Sequence, residues 1–192
     1  MVKLTRIYTR TGDAGRTRLV DNSVAAKTDS RVEAYGSVDE LTAVLAVALD
    51  CGLPEAVAAV LRRVQQELFD VGADLANPLD PEKTGQLRIL PSQVTRLEAW
   101  CDEFGDPLPA LRSFLLPGGC LAGSYLHLAR TVCRRAERAA WRAADDHGLG
   151  GAGGVSPEAV TYLNRLSDLL FILARAVTGV EHEVLWTPGG ER

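Results

Sequence analysis

Apolar residues recur every three or four positions along five segments of the chain, which is the spacing of an α-helix with one buried face. The clearest stripe contains Val57, Leu61, Val64, Leu68 and Leu75. The predicted helices cover about residues 30–50, 54–75, 91–104, 120–147 and 156–179. No segment alternates apolar and polar residues convincingly, so the pattern predicts an all-α fold, a bundle of five helices.

Residues that favour helix ends support these boundaries. "SRVE" from Ser30 and "SVDE" from Ser37 both fit a capping box, in which a serine hydroxyl and a glutamate three residues later bind free backbone amides. Ser156 is the expected N-cap of the last helix, with Pro157 at its first position and Gly179 as its terminator. The first 28 residues lack helical periodicity and are predicted to form an irregular N-terminal arm.

The length of 192 residues and the hydrophobic content of 46% suit a single domain. We expect residues 1–192 to divide into an arm at 1–28, a helical bundle at 30–179 and a tail at 180–192. The formal net charge of −4 argues against a nucleic-acid partner. No signal peptide or membrane span is visible, so we expect a cytoplasmic protein without a membrane partner.

Neither cysteines nor histidines are spaced as metal ligands. Cys51, Cys101, Cys120 and Cys133 are far apart and form no CxxC pair. Reduced thiols, packed as small apolar side chains, are the expected state. We therefore expect no metal ion that the protein holds by itself.

The fourth predicted helix contains a basic run, "ARTVCRRAER". At about 100° per residue, Arg130, Arg134, Glu137 and Arg138 fall on one face, whereas Arg135 points further round. Because an arginine can donate two parallel hydrogen bonds to phosphate oxygens, this face suits a polyphosphate. The alternative is a solvated face on which the arginines pair with Glu137.

Polar residues also interrupt the apolar stretches of two other helices. Asn164, Asp168 and Arg175 lie on one line of the last helix, where they either pair with a partner helix or line a site. Asp39 belongs to an otherwise core-directed stretch of the first helix, where an unpaired carboxylate is costly. We therefore expect Asp39 to pair with an arginine, and Arg130 is a candidate.

The arm contains the glycine-rich, basic segment "TRTGDAGRTR". It is not a Walker A loop, because the GxxxxGK[ST] pattern and a strand-to-helix junction are absent. Gly12 and Gly15 allow backbone amides to turn toward an anion, and the threonines and arginines add further donors. A surface turn explains this loop alone, but its occurrence beside an arginine-rich helix in an acidic protein favours phosphate binding.

The chain shows no Ser/His/Asp, Cys/His or paired-carboxylate arrangement. If the protein is an enzyme, we expect a substrate to supply the nucleophile. The protein then contributes positioning and the electrostatic stabilisation of a leaving polyphosphate.

Five blocks of sequence, in this order, resemble the signature blocks of the propanediol-utilisation type of ATP:cob(I)alamin adenosyltransferases. They are "IYTRTGDAGRTRL", "RVEAYGSVDEL", "FLLPGG", "ARTVCRRAER" and "YLNRLSDLLFILAR", from residue 7 to residue 175. The resemblance implies a five-helix bundle with ferritin-like up-and-down packing, a homotrimer and ATP bound between neighbouring subunits. It also implies an enzyme that transfers the 5′-deoxyadenosyl group of ATP to the cobalt(I) of cobalamin, releases triphosphate, and binds Mg²⁺ together with ATP. A flavoprotein cob(II)alamin reductase and an adenosylcobalamin-dependent acceptor enzyme are the implied partners.

The resemblance also implies roles for individual residues. Asp39 and Arg130 match an intersubunit salt bridge near cobalamin, and Phe114 matches a hydrophobic wall that leaves cobalt(II) four-coordinate. Arg134 would act chiefly on the phosphates, and Glu137 toward Mg²⁺ or the nucleoside. The implied catalytic residues are Asp39, Phe114, Arg130 and Arg134. The implied ATP-binding residues are Thr9, Arg10, Thr11, Gly12, Asp13, Gly15, Thr17, Arg18, Lys27, Arg134, Arg135, Glu137, Arg138 and Asn164.

Some features leave alternatives open. The arm has Arg10 and Ala14 where the family commonly has lysines, so the motif does not assign each side chain to a phosphate. In the tail, either Leu185 or Trp186 is placed to close over cobalamin. The competing hypotheses are a non-catalytic ATP- or cobalamin-binding sensor or delivery module, and a bundle whose arginine helix binds RNA.

Overall fold

Five long helices dominate the computed structural model, which describes residues 8–189. They are α1 (Ser30–Leu49), α2 (Glu55–Leu75), α3 (Pro91–Gly105), α4 (Leu121–His147) and α5 (Pro157–Thr178). The predicted all-α bundle of five helices is therefore confirmed, and the helix ends agree with the predicted ones to within a few residues. The first residues of the arm and the last residues of the tail lie outside the described part of the chain.

The predicted capping boxes of the first helix are wrong. Asp29 is the N-cap of α1: it has an extended backbone, and its carboxylate accepts a hydrogen bond of 2.8 Å from the amide of Arg31. Ser30 and Ser37 lie inside the helix. A carboxylate is a strong acceptor that also interacts favourably with the positive end of the helix dipole, so Asp29 displaces its serine neighbour from the cap.

The ends of α5 agree with the prediction. Ser156 is its N-cap residue and Pro157 its first residue, although the Ser156 hydroxyl donates to Glu158 and accepts no hydrogen bond from the helix backbone. Gly179 ends the helix with a φ of 77°, a conformation that glycine adopts without strain.

Two short antiparallel strand pairs were not predicted. In the arm, β1 (Arg16–Arg18) pairs with β2 (Val24–Ala26). The segment before α4 contains β3 (Leu115–Leu116), which pairs with β4 (Val184–Leu185) of the tail. A single 3₁₀ turn, Val180–His182, precedes β4. Strands of two or three residues are too short to show alternation, and the second pairing joins segments that are far apart in sequence.

Helix α4 is the centre of the bundle, since it packs against both α1 and α5, while α2 packs on α1 and α3 on α5. Its core face consists largely of alanines that are fully buried, namely Ala129, Ala136, Ala140 and Ala143. Small side chains allow neighbouring helices to approach closely. The arginines of α4 consequently lie on the opposite face. Among the described helices, none is long and apolar enough to cross a membrane.

Arg31 ties together the end of the bundle from which the arm emerges. Its side chain is 2% exposed and donates to the carbonyls of Leu75, at 2.9 Å, and Gly153, at 2.8 Å. Burial lowers the pKa of this guanidinium. The arm therefore starts from a fixed point on α1, beside the loops that follow α2 and α4.

Candidate functional site

The arginine face of α4 is exposed and largely unneutralised. Arg134 and Arg138 are exposed, and neither has an ion-pair or hydrogen-bond partner among residues 8–189. The alternative prediction, in which these arginines form ion pairs with Glu137, is therefore not observed. The face instead offers free guanidinium groups to an anion.

Glu137 binds Asn164 of α5. The amide nitrogen of Asn164 donates to Oε1 of Glu137 at 3.0 Å. Two of the residues predicted to bind nucleotide are therefore in direct contact, and Glu137 retains one carboxylate oxygen for another partner.

A groove between α4 and α5 begins beside these residues. It encloses about 190 Å³ and is lined by Arg130, Arg134, Ser167, Asp168, Phe171 and Ile172. The guanidinium of Arg130 lies 5.9 Å from the centre of the Phe171 ring, and its buried Nε has no hydrogen-bond partner within residues 8–189. Burial, together with the charge of Arg134, lowers the pKa of Arg130. The groove is a positively charged channel with one apolar wall.

A larger cleft adjoins the groove at Arg130 and Phe171. It encloses about 620 Å³ and is lined by Leu111, Arg112, Ser113, Phe114, Leu115, Arg130, Phe171 and Trp186. Phe114 is 77% exposed, an unusual state for an aromatic side chain of this size. The two cavities share two residues, so a continuous surface connects Arg134 with Phe114.

The C-terminal tail completes this cleft. The amide of Trp186 donates to the carbonyl of Phe114 at 2.7 Å, and the Ser113 hydroxyl donates to the carbonyl of Trp186 at 2.7 Å. The Trp186 ring meets the Phe114 ring edge to face, with centres 6.1 Å apart. Of the two tail residues that the sequence left open, Trp186 lines the cleft, while Leu185 of β4 pairs with Leu115 of β3.

Asp39 and Arg130 are not partners within one chain. Asp39 is exposed, so the premise that it is a core-directed carboxylate is wrong. It lies in a groove between α1 and α2, beside Tyr35 and Phe69, whereas Arg130 faces the groove between α4 and α5. Its apolar neighbours along the helix made Asp39 look core-directed, but residues beside it line an open groove of about 370 Å³.

The arm folds around its glycines. Gly15 has a φ of 74°, and a Cβ on Gly12 would lie 3.2 Å from Nζ of Lys27, so this ammonium packs against the glycine backbone. Arg10 also adopts a positive φ, 62°, and its guanidinium lies 5.8 Å from the centre of the Tyr8 ring. The loop therefore brings Lys27 next to the glycine backbone, the arrangement expected of an anion-binding turn.

The remaining predicted arm residues are close neighbours of this turn. The hydroxyls of Thr9 and Thr11 are 2.9 Å apart, and Asp13 donates its amide to the carbonyl of Arg10 at 3.3 Å. Thr17 lies in β1, and Arg18 donates to the carbonyl of Asn22 at 3.1 Å. All nine predicted arm residues therefore belong to one loop and its hairpin.

The arm and the arginine face share no polar contact within the described part of one chain. No ion pair or hydrogen bond joins residues 9–27 to Arg134 or Arg138 in the part of the chain described. Asp29, where the arm ends, binds His147 at the last residue of α4, about 20 Å along the helix axis from Arg134. Arg135, which the wheel placed off the shared face, forms an ion pair with Glu40 of α1.

The polar line on α5 divides between two roles. Asp168 lines the groove with Arg130, and Asn164 binds Glu137. Arg175 lies deeper: it forms an ion pair of 2.7 Å with Glu183 of the tail, and both side chains are nearly buried. Asn164 thus pairs with a partner helix and Asp168 lines a groove, whereas Arg175 pairs with the tail, which the sequence did not predict.

Sequence reasoning missed one aromatic side chain of the cleft and left a second one unassigned. Phe171 was counted among the core residues of the last helix, and Trp186 was one of two tail candidates. Phe171 lies between Arg130 and His127, whose ring centre is 6.0 Å from its own. The available signal was a phenylalanine one helical turn from Asp168 and Arg175, on the edge of the apolar stripe.

The described residues contain no built nucleophile or metal site. All four cysteines are free, and Cys133 is fully buried, which raises the pKa of its thiol well above the usual range. Burial also raises the pKa of Cys101 to about 11. No cluster of three metal-ligating side chains occurs in residues 8–189.

Known proteins are similar to this chain in sequence and in fold. The model of the cobalamin adenosyltransferase family matches residues 7–177. A corrinoid adenosyltransferase of Mycobacterium tuberculosis is 53% identical over 100% of this chain and 97% of its own length. The corrinoid adenosyltransferase PduO of Salmonella typhimurium is 41% identical over 92% of this chain and 51% of its own length.

Solved structures give the same relation. A variant PduO-type ATP:corrinoid adenosyltransferase from Lactobacillus reuteri, complexed with cobalamin and ATP, superposes with a TM-score of 0.86 and 33% identity over 95% of this chain and 97% of its own. An arginine-to-lysine variant of that enzyme, complexed with ATP, superposes with a TM-score of 0.84 over 95% of this chain and 100% of its own.

The fold and these relations thus define a helical-bundle transferase. The chain belongs to the cobalamin adenosyltransferase family, and the prediction of a corrinoid adenosyltransferase enzyme is confirmed.

Proposed function

We propose that the protein transfers the 5′-deoxyadenosyl group of ATP to cob(I)alamin and releases triphosphate. The observation that supports this most directly is the continuous surface from the unpaired Arg134 to the exposed Phe114. One end suits a polyphosphate and the other suits the flat, apolar face of a corrin ring.

The proposed reaction needs no nucleophile from the protein. The lone pair of cobalt(I) attacks C5′ of ATP and forms the cobalt–carbon bond, while the C5′–O bond breaks and its electron pair leaves with the triphosphate. Cobalt is oxidised formally from +1 to +3 and the adenosyl carbon is reduced. The protein contributes alignment, and the free guanidinium of Arg134 stabilises the charge that develops on the leaving triphosphate.

ATP is proposed to bind between two copies of the chain. Arm residues 9–27 and the arginine face of α4 are both suited to phosphate, yet no hydrogen bond or ion pair joins them within residues 8–189 of one chain. A closed homotrimer would bring the arm of one subunit to α4 of the next. The same arrangement would let Asp39 of one subunit pair with Arg130 of its neighbour.

Individual ATP contacts follow from this arrangement. The proposed phosphate donors are Arg134, Arg138 and Lys27, with the backbone of the glycine turn. Asn164 and Glu137 would contact the nucleoside or its metal. Arg135 keeps its proposed nucleotide role only if it exchanges its ion pair with Glu40 for the nucleotide.

Magnesium is proposed to arrive with ATP. Mg²⁺ is usually held by one or two carboxylates together with substrate phosphates, and Glu137 has one carboxylate oxygen that Asn164 does not use. This residue fits the ion. When bound, Mg²⁺ neutralises part of the charge on the phosphates.

Phe114 is proposed to remove the lower axial ligand of cobalt. Its exposed ring has no donor atom that could coordinate cobalt in place of that ligand, and Trp186 supports the ring from the side. A four-coordinate cobalt(II) is easier to reduce because the departing ligand no longer stabilises the oxidised metal. A flavoprotein reductase would supply the electron, and an adenosylcobalamin-dependent enzyme in the cytoplasm would take the product.

The decisive experiment incubates the protein anaerobically with MgATP and chemically reduced cobalamin. Formation of the light-sensitive adenosylcobalamin spectrum with stoichiometric release of triphosphate is expected. A tight complex that never releases triphosphate would favour the sensor or delivery module instead, and the absence of both binding and conversion would refute the proposal.

A further inference from the structure

Arg175 connects three segments that are far apart in sequence. Its Nε and one Nη donate to the two carboxylate oxygens of Glu183 at 2.7 and 3.4 Å. The same Nη donates to the carbonyl of Pro109 at 2.9 Å. One guanidinium in the last turn of α5 therefore binds both the loop before β3 and the tail that leads into β4.

This ion pair is buried but lies outside the cleft. The side chains of Arg175 and Glu183 are 9% and 8% exposed. They line a small internal gap together with His127, and neither belongs to the 620 Å³ cleft. Any effect of Arg175 on the reaction must therefore act through other residues.

Those residues are Phe114 and Trp186. Trp186 follows Glu183 by three positions, and Phe114 follows Pro109 by five. Beyond the ion pair, the tail and the loop are joined by the β3–β4 pairing and by two hydrogen bonds of 2.7 Å between Trp186 and the Ser113–Phe114 pair. Arg175 binds the tail at Glu183 and the loop at Pro109, and so joins the two segments at a second point.

We propose that Arg175 is a positioning residue, which holds the tail and the Pro109 loop together so that Trp186 supports Phe114 at the cobalamin face. This inference rests on the proposed function, because it assigns Arg175 to the same reaction. The isolated two-residue pairing of β3 and β4 is too short to be stable in water by itself, so the buried ion pair supplies the missing constraint.

The chemistry of the pair explains why its loss should release the tail and not unfold the bundle. A planar guanidinium can bind a carboxylate with two hydrogen bonds and still reach a carbonyl, which an amide cannot. Without Arg175, a buried Glu183 carboxylate is costly, and the tail can avoid this cost by moving Glu183 into water. The helices need not separate for that to happen.

The first test measures the tail without any substrate. Hydrogen exchange at the Trp186 amide is compared in the wild type, Arg175→Gln and Glu183→Gln. Exchange about tenfold faster or more is expected in both variants, with unchanged exchange in α1 and α4. The Arg62→Gln variant, which removes an exposed ion pair of 2.7 Å with Glu55, is the matched control and should leave Trp186 unchanged.

The second test measures the reaction in two forms. With cob(II)alamin, MgATP and a reducing system, each variant is expected to lose about tenfold or more in turnover, whereas pre-reduced cob(I)alamin should react within about twofold of the wild type. The electron paramagnetic resonance signal of four-coordinate cobalt(II) should fall in parallel. The Kd for ATP should not change, because the proposed ATP residues lie elsewhere.

Two kinds of result would contradict the inference. Unchanged exchange at Trp186 would show that Arg175 does not hold the tail. Faster exchange with equal losses of turnover in both reactions, or with no loss in either, would show that the tail does not position Phe114.

If Arg175→Gln does not fold, the Glu183→Gln variant alone provides the test. If the wild type produces no adenosylcobalamin, the proposed function fails, and the exchange comparison still judges the role of Arg175 in the tail.

Discussion

At the scale of single residues, the free guanidinium of Arg134 gives the first prediction. Arg134→Ala should lower turnover about 10- to 100-fold, because one charge-assisted contact to the triphosphate is worth about 1.5–3 kcal/mol. The free energy of unfolding should change little, since the side chain is exposed and unpaired. Arg142→Ala, on the same helix and also exposed, is the control and should keep near-normal kcat; near-normal kcat in Arg134→Ala as well would contradict the phosphate role.

Phe114 gives the second prediction. Phe114→Ala should impair the reaction that starts from cob(II)alamin more than the reaction of pre-reduced cob(I)alamin, because only the former depends on removing the axial ligand. The ring is 77% exposed, so its loss should cost little stability in the ligand-free protein. Side-by-side rates in the two assays are the measurement, and equal losses would argue against axial displacement.

His127 gives a prediction about pH. Burial, and then the charge of Arg130, lower the pKa of this histidine below its ordinary value of about 6.5. As the pH falls below about 6.5, the unfolded chain binds the proton first, so the free energy of unfolding should decrease, by at most about 1.4 kcal/mol per pH unit for one site. Well above about pH 6.5, the His127 imidazole is neutral in both the folded and the unfolded chain, so its contribution to the free energy of unfolding no longer changes with pH.

Urea unfolding at pH 5.5 and 7.5 tests this expectation. His127→Gln cannot titrate and should show a smaller loss of stability on acidification than the wild type. Other charged groups near His127, namely Arg175 and Glu183 across the internal gap, are the same in both proteins. Identical losses would place the acid sensitivity elsewhere.

At the scale of elements, the crossing of α4 and α5 depends on a glycine. A Cβ at Gly123 would lie 2.2 Å from the Thr178 hydroxyl and 3.4 Å from the carbonyl of Ala174. Thr178 cannot turn away freely, because its methyl already faces Gly119. The two helices can therefore pack this closely only without a side chain at Gly123.

Gly123→Ala should accordingly destabilise the protein by about 1–3 kcal/mol through overpacking. Chemical denaturation measures the change, and Gly123→Ala combined with Thr178→Ala should recover part of it. Gly105→Ala is the matched control, since its Cβ would lie 3.6 Å from Ile172, an ordinary contact. A neutral Gly123→Ala would mean that the helices separate without cost.

At the scale of the whole molecule, the proposed site requires a second copy of the chain. Asp39 and Arg130 lie in different grooves, and the arm does not reach the arginine face. Asp39→Asn and Arg130→Gln should each lose most activity. When the two inactive variants are refolded together, about a quarter of the interfaces should regain a native pair, because each interface takes one residue from each neighbour.

Activity of the mixed sample is the measurement, and each variant refolded alone is the control. Recovery toward a quarter of the wild-type value is expected. If the mixture is as inactive as its components, the pairing between subunits is wrong.

The sequence by itself determined the five helices and the separation of α4 into an apolar and a basic face. These features depend on the spacing of neighbouring residues, which the helix period fixes locally. By resemblance, the motif blocks also predicted that the arm residues, Glu137 and Asn164 bind the same ATP. The cap of α1 was misassigned because two adjacent acceptors competed, and Asp29 is the stronger one.

The tertiary structure alone decided which of these residues meet. The pairing of β3 with β4, the contact of Trp186 with Phe114 and the ion pair of Arg175 with Glu183 join positions whose separation no periodicity encodes. It also showed that Asp39 is exposed and that Phe171 lines a cleft, although both lie beside apolar neighbours on their helices. Burial and long-range pairing depend on how whole helices pack, whereas the local pattern reports only which face of each helix is apolar.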